Sequence, residues 1–112
     1  MNIITNQIQA YNDKNIKKFM SCYNDEIKVY MLDSGKILTD GKEQLKETMQ
    51  HAFVNNPNSK TEIITQIIQG DLVVNQEWIS DHLPGKIVKS ISIYQVRNEK
   101  ISKLWFGGRT VE

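Results

Sequence analysis

Ile4, Ile8 and Tyr11 recur at spacings of four and three with Asn and Gln between them, the apolar stripe of an amphipathic helix over roughly residues 2 to 12. Asn12-Asp13-Lys14-Asn15 interrupts that stripe with turn-forming side chains, and Asn15 is placed to cap a second helix by accepting a bond from a free first-turn N–H. Ile16, Phe19, Met20 and Tyr23 then fall at i, i+3, i+4 and i+7, one buried face, while Lys17, Lys18 and Ser21 look outward. The period changes at Ile27, where Ile27, Val29 and Met31 alternate with Lys28, Tyr30 and Leu32 and predict a strand. Asp33-Ser34-Gly35-Lys36 is turn chemistry, and Ile37-Leu38 predicts a short second strand. After Asp40-Gly41 a third helix is marked by Leu45, Met49, Ala52 and Phe53, and Asn55-Asn56-Pro57-Asn58 stops it.

From Lys60 onward the chain reads as β-structure. Four runs rich in Ile and Val, at 60–69, 72–81, 86–97 and 100–107, are broken at Gly70-Asp71, Leu83-Pro84-Gly85 and Asn98-Glu99. Breaks this short imply hairpins, hence an antiparallel meander. Helices first and strands afterwards give an α+β class, and 112 residues suit one domain, 1–112, with a single core.

Composition narrows the function classes. Fourteen Lys+Arg against thirteen Asp+Glu leave a formal net charge of +1, so no strong field attracts nucleic acid or an anionic membrane. The basic cluster Lys14, Lys17 and Lys18 is flanked by Asp13, Asp25 and Glu26 and reads as a solvated helix face. No apolar run approaches the roughly 18 residues of a membrane span, and the first residues lack a signal-peptide pattern, so a cytoplasmic location is expected. Cys22 is the only cysteine; with two histidines far apart in the chain, no metal site and no cofactor are expected.

Ala10-Tyr11-Asn12-Asp13-Lys14-Asn15-Ile16-Lys17-Lys18-Phe19-Met20-Ser21-Cys22-Tyr23-Asn24-Asp25-Glu26 resembles the opening motif of the superfamily of nuclear transport factor 2, the ketosteroid isomerases and the SnoaL-like polyketide cyclases. Thr39-Asp40-Gly41-Lys42-Glu43-Gln44-Leu45 resembles its lead-in to the third helix, and Lys100-Ile101-Ser102-Lys103-Leu104-Trp105-Phe106 its last strand. The resemblance implies a cystatin-like cone: three N-terminal helices packed in the concave face of a strongly curved, mainly antiparallel sheet that encloses a pocket. It places Gln7, Tyr11, Phe19, Tyr23, Met31, Leu45, Met49, Phe53, Gln76, Trp78, Ser92, Tyr94, Leu104 and Phe106 on or near that pocket. Strand parity keeps 76 with 78, 92 with 94 and 104 with 106, and sends Glu77 to the outer face. That outer face then carries Ile91, Ile93, Ile101 and Trp105, an apolar surface expected to pair two copies in a homodimer.

Chemistry is harder to place. Ketosteroid isomerases use a carboxylate base with a tyrosine and a protonated acid as oxyanion hole, and the resemblance puts those three on Met31, Gln7 and Ser92, none of which can serve. Asp33, sharing parity with Met31, is the candidate base if the strand continues to the pocket mouth, with Tyr11 or Tyr94 as electrophile. His51 and His82 lack a partner carboxylate at a recognisable spacing, and Cys22 sits at the wrong end of its helix for activation. Gly107-Gly108 forms no phosphate cradle and reads as loosening the chain end, which leaves Arg109 to bond a neighbour's carboxylate. The expectation is a protein that binds a small, largely apolar molecule, with isomerase, cyclase or hydratase activity; the alternative is a non-catalytic dimerisation or ligand-sensing module.

Overall fold

The computed structural model describes residues 3–112. Helix α1 spans Ile3–Asn12 and buries Ile4, Gln7 and Ala10, so a glutamine shares the face that its apolar neighbours commit to the interior. The expected start at residue 2 lies outside the described residues. Helix α2, Ile16–Ser21, begins where predicted: the Asn15 side chain accepts from the Lys18 N–H at 3.0 Å, satisfying one donor of the first turn. Asn12 fastens this corner to the sheet, donating to the Thr61 carbonyl at 3.0 Å and accepting from the Thr61 N–H at 2.7 Å.

Strand β1 covers Tyr23–Met31, starting four residues before the expected Ile27. The Ile101 N–H donates to the Cys22 carbonyl at 2.9 Å, and Tyr23 pairs with Ile101, so a long-range ladder overrides the helical spacing that had included Tyr23 in the second helix. Strand β2 is Ile37–Asp40, and α3 is Lys42–Asn55. Gly41 precedes α3 at φ +96°, where a side chain would be strained. The remaining strands are β3, Lys60–Gln69; β4, Leu72–Ser80; β5, Ile87–Arg97; and β6, Lys100–Val111.

The six strands form one sheet in the order β2-β1-β6-β5-β4-β3. Only the β1–β6 pair is parallel. This is the curved, mainly antiparallel α+β cone, with the three helices in its concave face. Ile4, Phe19, Tyr23, Ile27, Val73, Tyr94 and Ile101 are among the buried residues that bring helices and sheet into one core. No helix among the described residues is long and apolar enough to cross a membrane.

Two strand ends depart from expectation. Strand β6 does not loosen at Gly107: it runs on to Val111, which pairs with Val88, and Ile87 and Glu112 exchange backbone hydrogen bonds of 2.8 and 2.9 Å. Strand β1, by contrast, stops at Met31, because the Met31 N–H turns to the Lys36 carbonyl at 2.8 Å and its own carbonyl accepts from Gly35 at 2.9 Å.

Candidate functional site

Inside the cone lies a cavity of about 370 Å³. Its walls are mostly apolar: Ile8, Phe19, Val29, Leu45, Met49, Leu104 and Phe106 come from all three helices and from β1 and β6. Glu77, Ser90, Ser92 and Tyr94 line it from β4 and β5, where the register decides which side chains enter. Asn75 pairs with Ser92, and Glu77 with Ser90; residues directly opposite across a ladder share a face, so the odd positions of β4 look into the cone with the even positions of β5.

Glu77 therefore lies in the cavity, 5% exposed. Its Oε2 accepts from the Tyr94 hydroxyl at 2.6 Å and from Asn75 Nδ2 at 3.0 Å, while Oε1 accepts from the Ser92 hydroxyl at 3.0 Å. A buried carboxylate is tolerable only with such partners. None of the ion pairs among the described residues involves it, so hydrogen bonds carry its charge. The network continues into α1: Gln7 Nε2 donates to the Tyr94 hydroxyl oxygen at 3.3 Å, and Gln7 Oε1 accepts from the Tyr23 hydroxyl at 2.8 Å. Burial first, and then the charge on Glu77, holds both the Tyr23 and Tyr94 phenols well above the ordinary tyrosine range, so both stay protonated donors. Ser90, opposite Glu77, also lines the cavity.

Of the residues expected at the pocket, the cavity is lined by Gln7, Tyr11, Phe19, Tyr23, Leu45, Met49, Ser92, Tyr94, Leu104 and Phe106. Phe53 stands behind this lining, its ring 5.6 Å from those of Tyr11 and Phe19. Met31, half-buried at the end of β1, pairs with Phe106 on the same face but leaves the lining to Val29. Gln76 and Trp78 belong to the opposite side of the sheet. Gln76 is exposed and accepts from the Thr65 hydroxyl at 3.1 Å, and Lys89 Nζ sits 4.2 Å above the Trp78 ring. The expected parity of β4 is thus reversed, because Gln76 pairs with the outward Ile91 and Trp78 with Lys89. Glu77 was the residue this reversal hid.

Asp33 is not part of the site. It is exposed in the turn after β1, away from the residues that line the cavity, because the chain reverses at Met31 and the strand that would have carried it inward ends there. Ile101 is likewise misplaced as an outer-face residue: it is 0% exposed in the core, since an irregularity between Gln95 and Val96 shifts the β5–β6 register and pairs it with the inward Val96. Ile91, Ile93 and Trp105 do lie half-buried on the outer face, with Tyr30 stacked on Trp105 at 5.5 Å. His51 is exposed on α3. His82 is half-buried in the β4–β5 connection, its imidazole pushed below the usual range by burial and by the Arg109 charge. Cys22 is buried, which raises its thiol above the ordinary value and keeps it unreactive.

The missed Glu77 did leave a signal in the sequence. The connection between Ser80 and Ile87 pairs even with odd positions across the hairpin, so an inward Ser92 requires an inward Asn75 and Glu77. Among the described residues no group of three His, Cys, Asp or Glu side chains is arranged to hold a metal ion.

The architecture has many solved counterparts. A cystatin-fold protein of Novosphingobium aromaticivorans superposes with a TM-score of 0.85 at 20% identity, covering 95% of each chain. A proposed polyketide cyclase of Sinorhizobium meliloti gives 0.81 at 15% identity over 96% of this chain and 94% of that one. A Catenulispora acidiphila protein with a ketosteroid isomerase-like fold, solved in complex with trimethylamine, gives 0.78 at 17% identity over 94% and 83%. At such identities these likenesses speak for the fold alone. No curated protein matches the chain. The profile of the SnoaL-like domain, however, matches residues 4–104, nearly the whole chain. The chain belongs to the SnoaL-like domain family.

Proposed function

We propose that the protein binds a small, largely apolar molecule in the cone and moves a proton on it, an isomerase- or cyclase-type reaction with Glu77 as the base. The observation that carries this reading is a buried carboxylate on the wall of a largely apolar cavity, oriented by three hydrogen bonds. A cavity of about 370 Å³ falls within the range of small-molecule sites, and a module filled by its own aromatics would not keep such a space open.

The two carboxylate oxygens are unequal. Oε2 takes two hydrogen bonds and Oε1 one, so Oε1 keeps the lone pair available to a substrate proton. In the proposed step Oε1 takes a proton from a carbon beside a carbonyl, and the C–H electron pair moves into the enolate. Ser90, across the ladder from Glu77, is the hydroxyl placed to donate to the enolate oxygen. With a β,γ-unsaturated ketone the enolate is a dienolate, and return of the proton to its γ-carbon completes an isomerisation; attack of the enolate carbon on a second carbonyl closes a ring, the resulting alkoxide taking the proton from Glu77. Gln7 and Ser92, unable to act as the isomerase oxyanion hole, instead hold Tyr94 and Glu77 in place.

The test is exchange of the α-protons of cyclic and aromatic ketones in D2O, followed by NMR. Glu77→Gln keeps the shape of the side chain and removes the base, and is expected to slow protein-catalysed exchange by about 10²–10⁴-fold. Unchanged exchange in a variant with native near-UV circular dichroism would exclude Glu77 as the base.

A further inference from the structure

Strand β6 alternates regularly through Leu104 and Phe106, which face the cone, and Trp105, which faces away. Continued alternation would send Arg109 outward. It does not. Between the pairs Ile91–Gly107 and Lys89–Thr110 the register shifts, and Gly108 occupies the extra position at φ +61°. This β-bulge resets the pleat: Thr110 now pairs with the outward Lys89, and Arg109, itself exposed, lies on the cone side and lines the cavity. Arg109 was expected to bond a neighbour's carboxylate, and its actual direction is the product of one inserted glycine.

Arg109 is the only cationic side chain among the cavity's lining residues, and Glu77 the only anionic one. None of the ion pairs among the described residues includes Arg109, whereas Arg97, Lys42 and Lys89 each hold a carboxylate. Arg109 and Glu77 do not meet either: they stand on β6 and β4 with Ser90 of β5 between them, two strand spacings or roughly 10 Å between backbones. Burial first, and then the Arg109 charge, lowers the imidazole of His82 in the neighbouring connection.

The geometry points to a substrate that carries a carboxylate: Arg109 holds that group while the reacting carbonyl, a few bonds away, lies against Ser90 and Glu77. A guanidinium fork matches a carboxylate with two parallel hydrogen bonds. A single arginine and a nearby Glu77 suit a monoanion and disfavour a phosphate dianion, which would bring a second negative charge toward the base. The ligand is then a small keto acid with an apolar body, a narrower class than the neutral apolar molecule expected from the sequence. This inference rests on the proposed base for its chemistry, but its binding arm stands separately.

Two probes share one ring and one ketone and differ only in charge: 4-acetylbenzoate and 4-acetylbenzamide. Calorimetric titration of the whole protein is expected to show the carboxylate binding at least about tenfold more tightly, as for a charge-assisted hydrogen-bonded pair. Arg109→Gln removes the preference, weakening the carboxylate more than the amide, and Arg109→Lys restores part of it. Equal affinities in the wild type, or saturable binding of neither probe at millimolar concentration, overturns the inference. A preference that survives Arg109→Gln overturns it as well. The Glu77→Gln variant separates the two readings. If the carboxylate preference holds but α-proton exchange is the same with and without Glu77, the base assignment fails and the specificity assignment stands. Loss of exchange without any charge preference gives the reverse.

Discussion

On β4 the residues that face the cone are Val73, Asn75, Glu77 and Ile79, and those that face away include Leu72, Val74, Gln76 and Trp78. Hydrophobicity does not separate the two sets; if anything the outward one, with its tryptophan, is the more apolar. What separates them is how far the polar atoms are buried with their partners. Inside, Glu77 and Tyr94 are bonded by buried side chains, Asn75, Ser92 and Gln7, with Tyr23 beyond them, and Asn75 in turn accepts from Gln66 Nε2 at 2.9 Å. Outside, the large side chains lie flat on the sheet, with Lys89 over Trp78 and Tyr30 on Trp105, and their neighbours stay in water. The cavity wall inverts the usual inside-outside rule locally, since it buries hydrogen-bonded polar groups while the outer face carries large apolar side chains.

That contrast breaks most visibly in the packed part of the inner face. Ile101→Ala, at a side chain with no exposure, is expected to cost about 2–5 kcal/mol in urea unfolding, against less than about 1 kcal/mol for the half-buried Ile93→Val on the outer face. Similar losses at the two sites would show that the faces are not energetically distinct. Tyr94→Phe comes next. It strips one donor from Glu77 and leaves Gln7 Nε2 without its acceptor, and should lower stability by about 1.5–3 kcal/mol, read as a drop in the urea midpoint at pH 7.

The pH dependence sharpens the same point. In the unfolded chain tyrosines release their protons near pH 10, whereas the buried Tyr23 and Tyr94 keep theirs to higher pH. Above pH 10 the native state therefore binds more protons than the unfolded one, and stability must fall as pH rises, by at most about 1.4 kcal/mol per pH unit for each of the two phenols. Urea midpoints measured from pH 8 to 11 should be level at first and then decline, and Tyr94→Phe should remove about half of that decline. A flat profile through pH 11 would mean that these phenols titrate as freely as exposed ones. The smallest effect on folding belongs to the outer face: Ile93→Lys should change monomer stability little, and the homodimer expected through that face predicts that it lowers the sedimentation coefficient at tens of micromolar. A wild type that sediments as a monomer at that concentration would remove the homodimer.

Most of the architecture was legible because it depends on spacing. The stripes through Ile4 and Ile8, through Ile16, Phe19 and Met20, and through Leu45 and Met49 gave three helices, and the short breaks after Gln69 and Arg97 gave the hairpins. The site was only half legible. Tyr94, Ser92 and Gln7 were placed at the pocket, but the resemblance put Gln76 and Trp78 there as well and so sent Glu77 outward, where the hairpin's pairing parity was the physical constraint. Asp33 failed for a related reason: the parity was sound, yet the strand ended before it applied. Arg109 could not have been read at all, since a single bulge at Gly108 reverses every assignment beyond it and leaves no periodic trace.

Gln7 has a consequence beyond its place in the network. It binds Tyr94 across 87 positions of sequence, and Tyr23 across 16, so it joins the first helix to the fifth strand as well as to the first. A contact across so much sequence costs more loop entropy than a hairpin does, so Gln7 ties distant parts of the chain at a point no local element supports. Without α1, Tyr94 lacks one of its two partners. The burial of the Glu77 carboxylate and the docking of the first helix are thus coupled through one amide side chain.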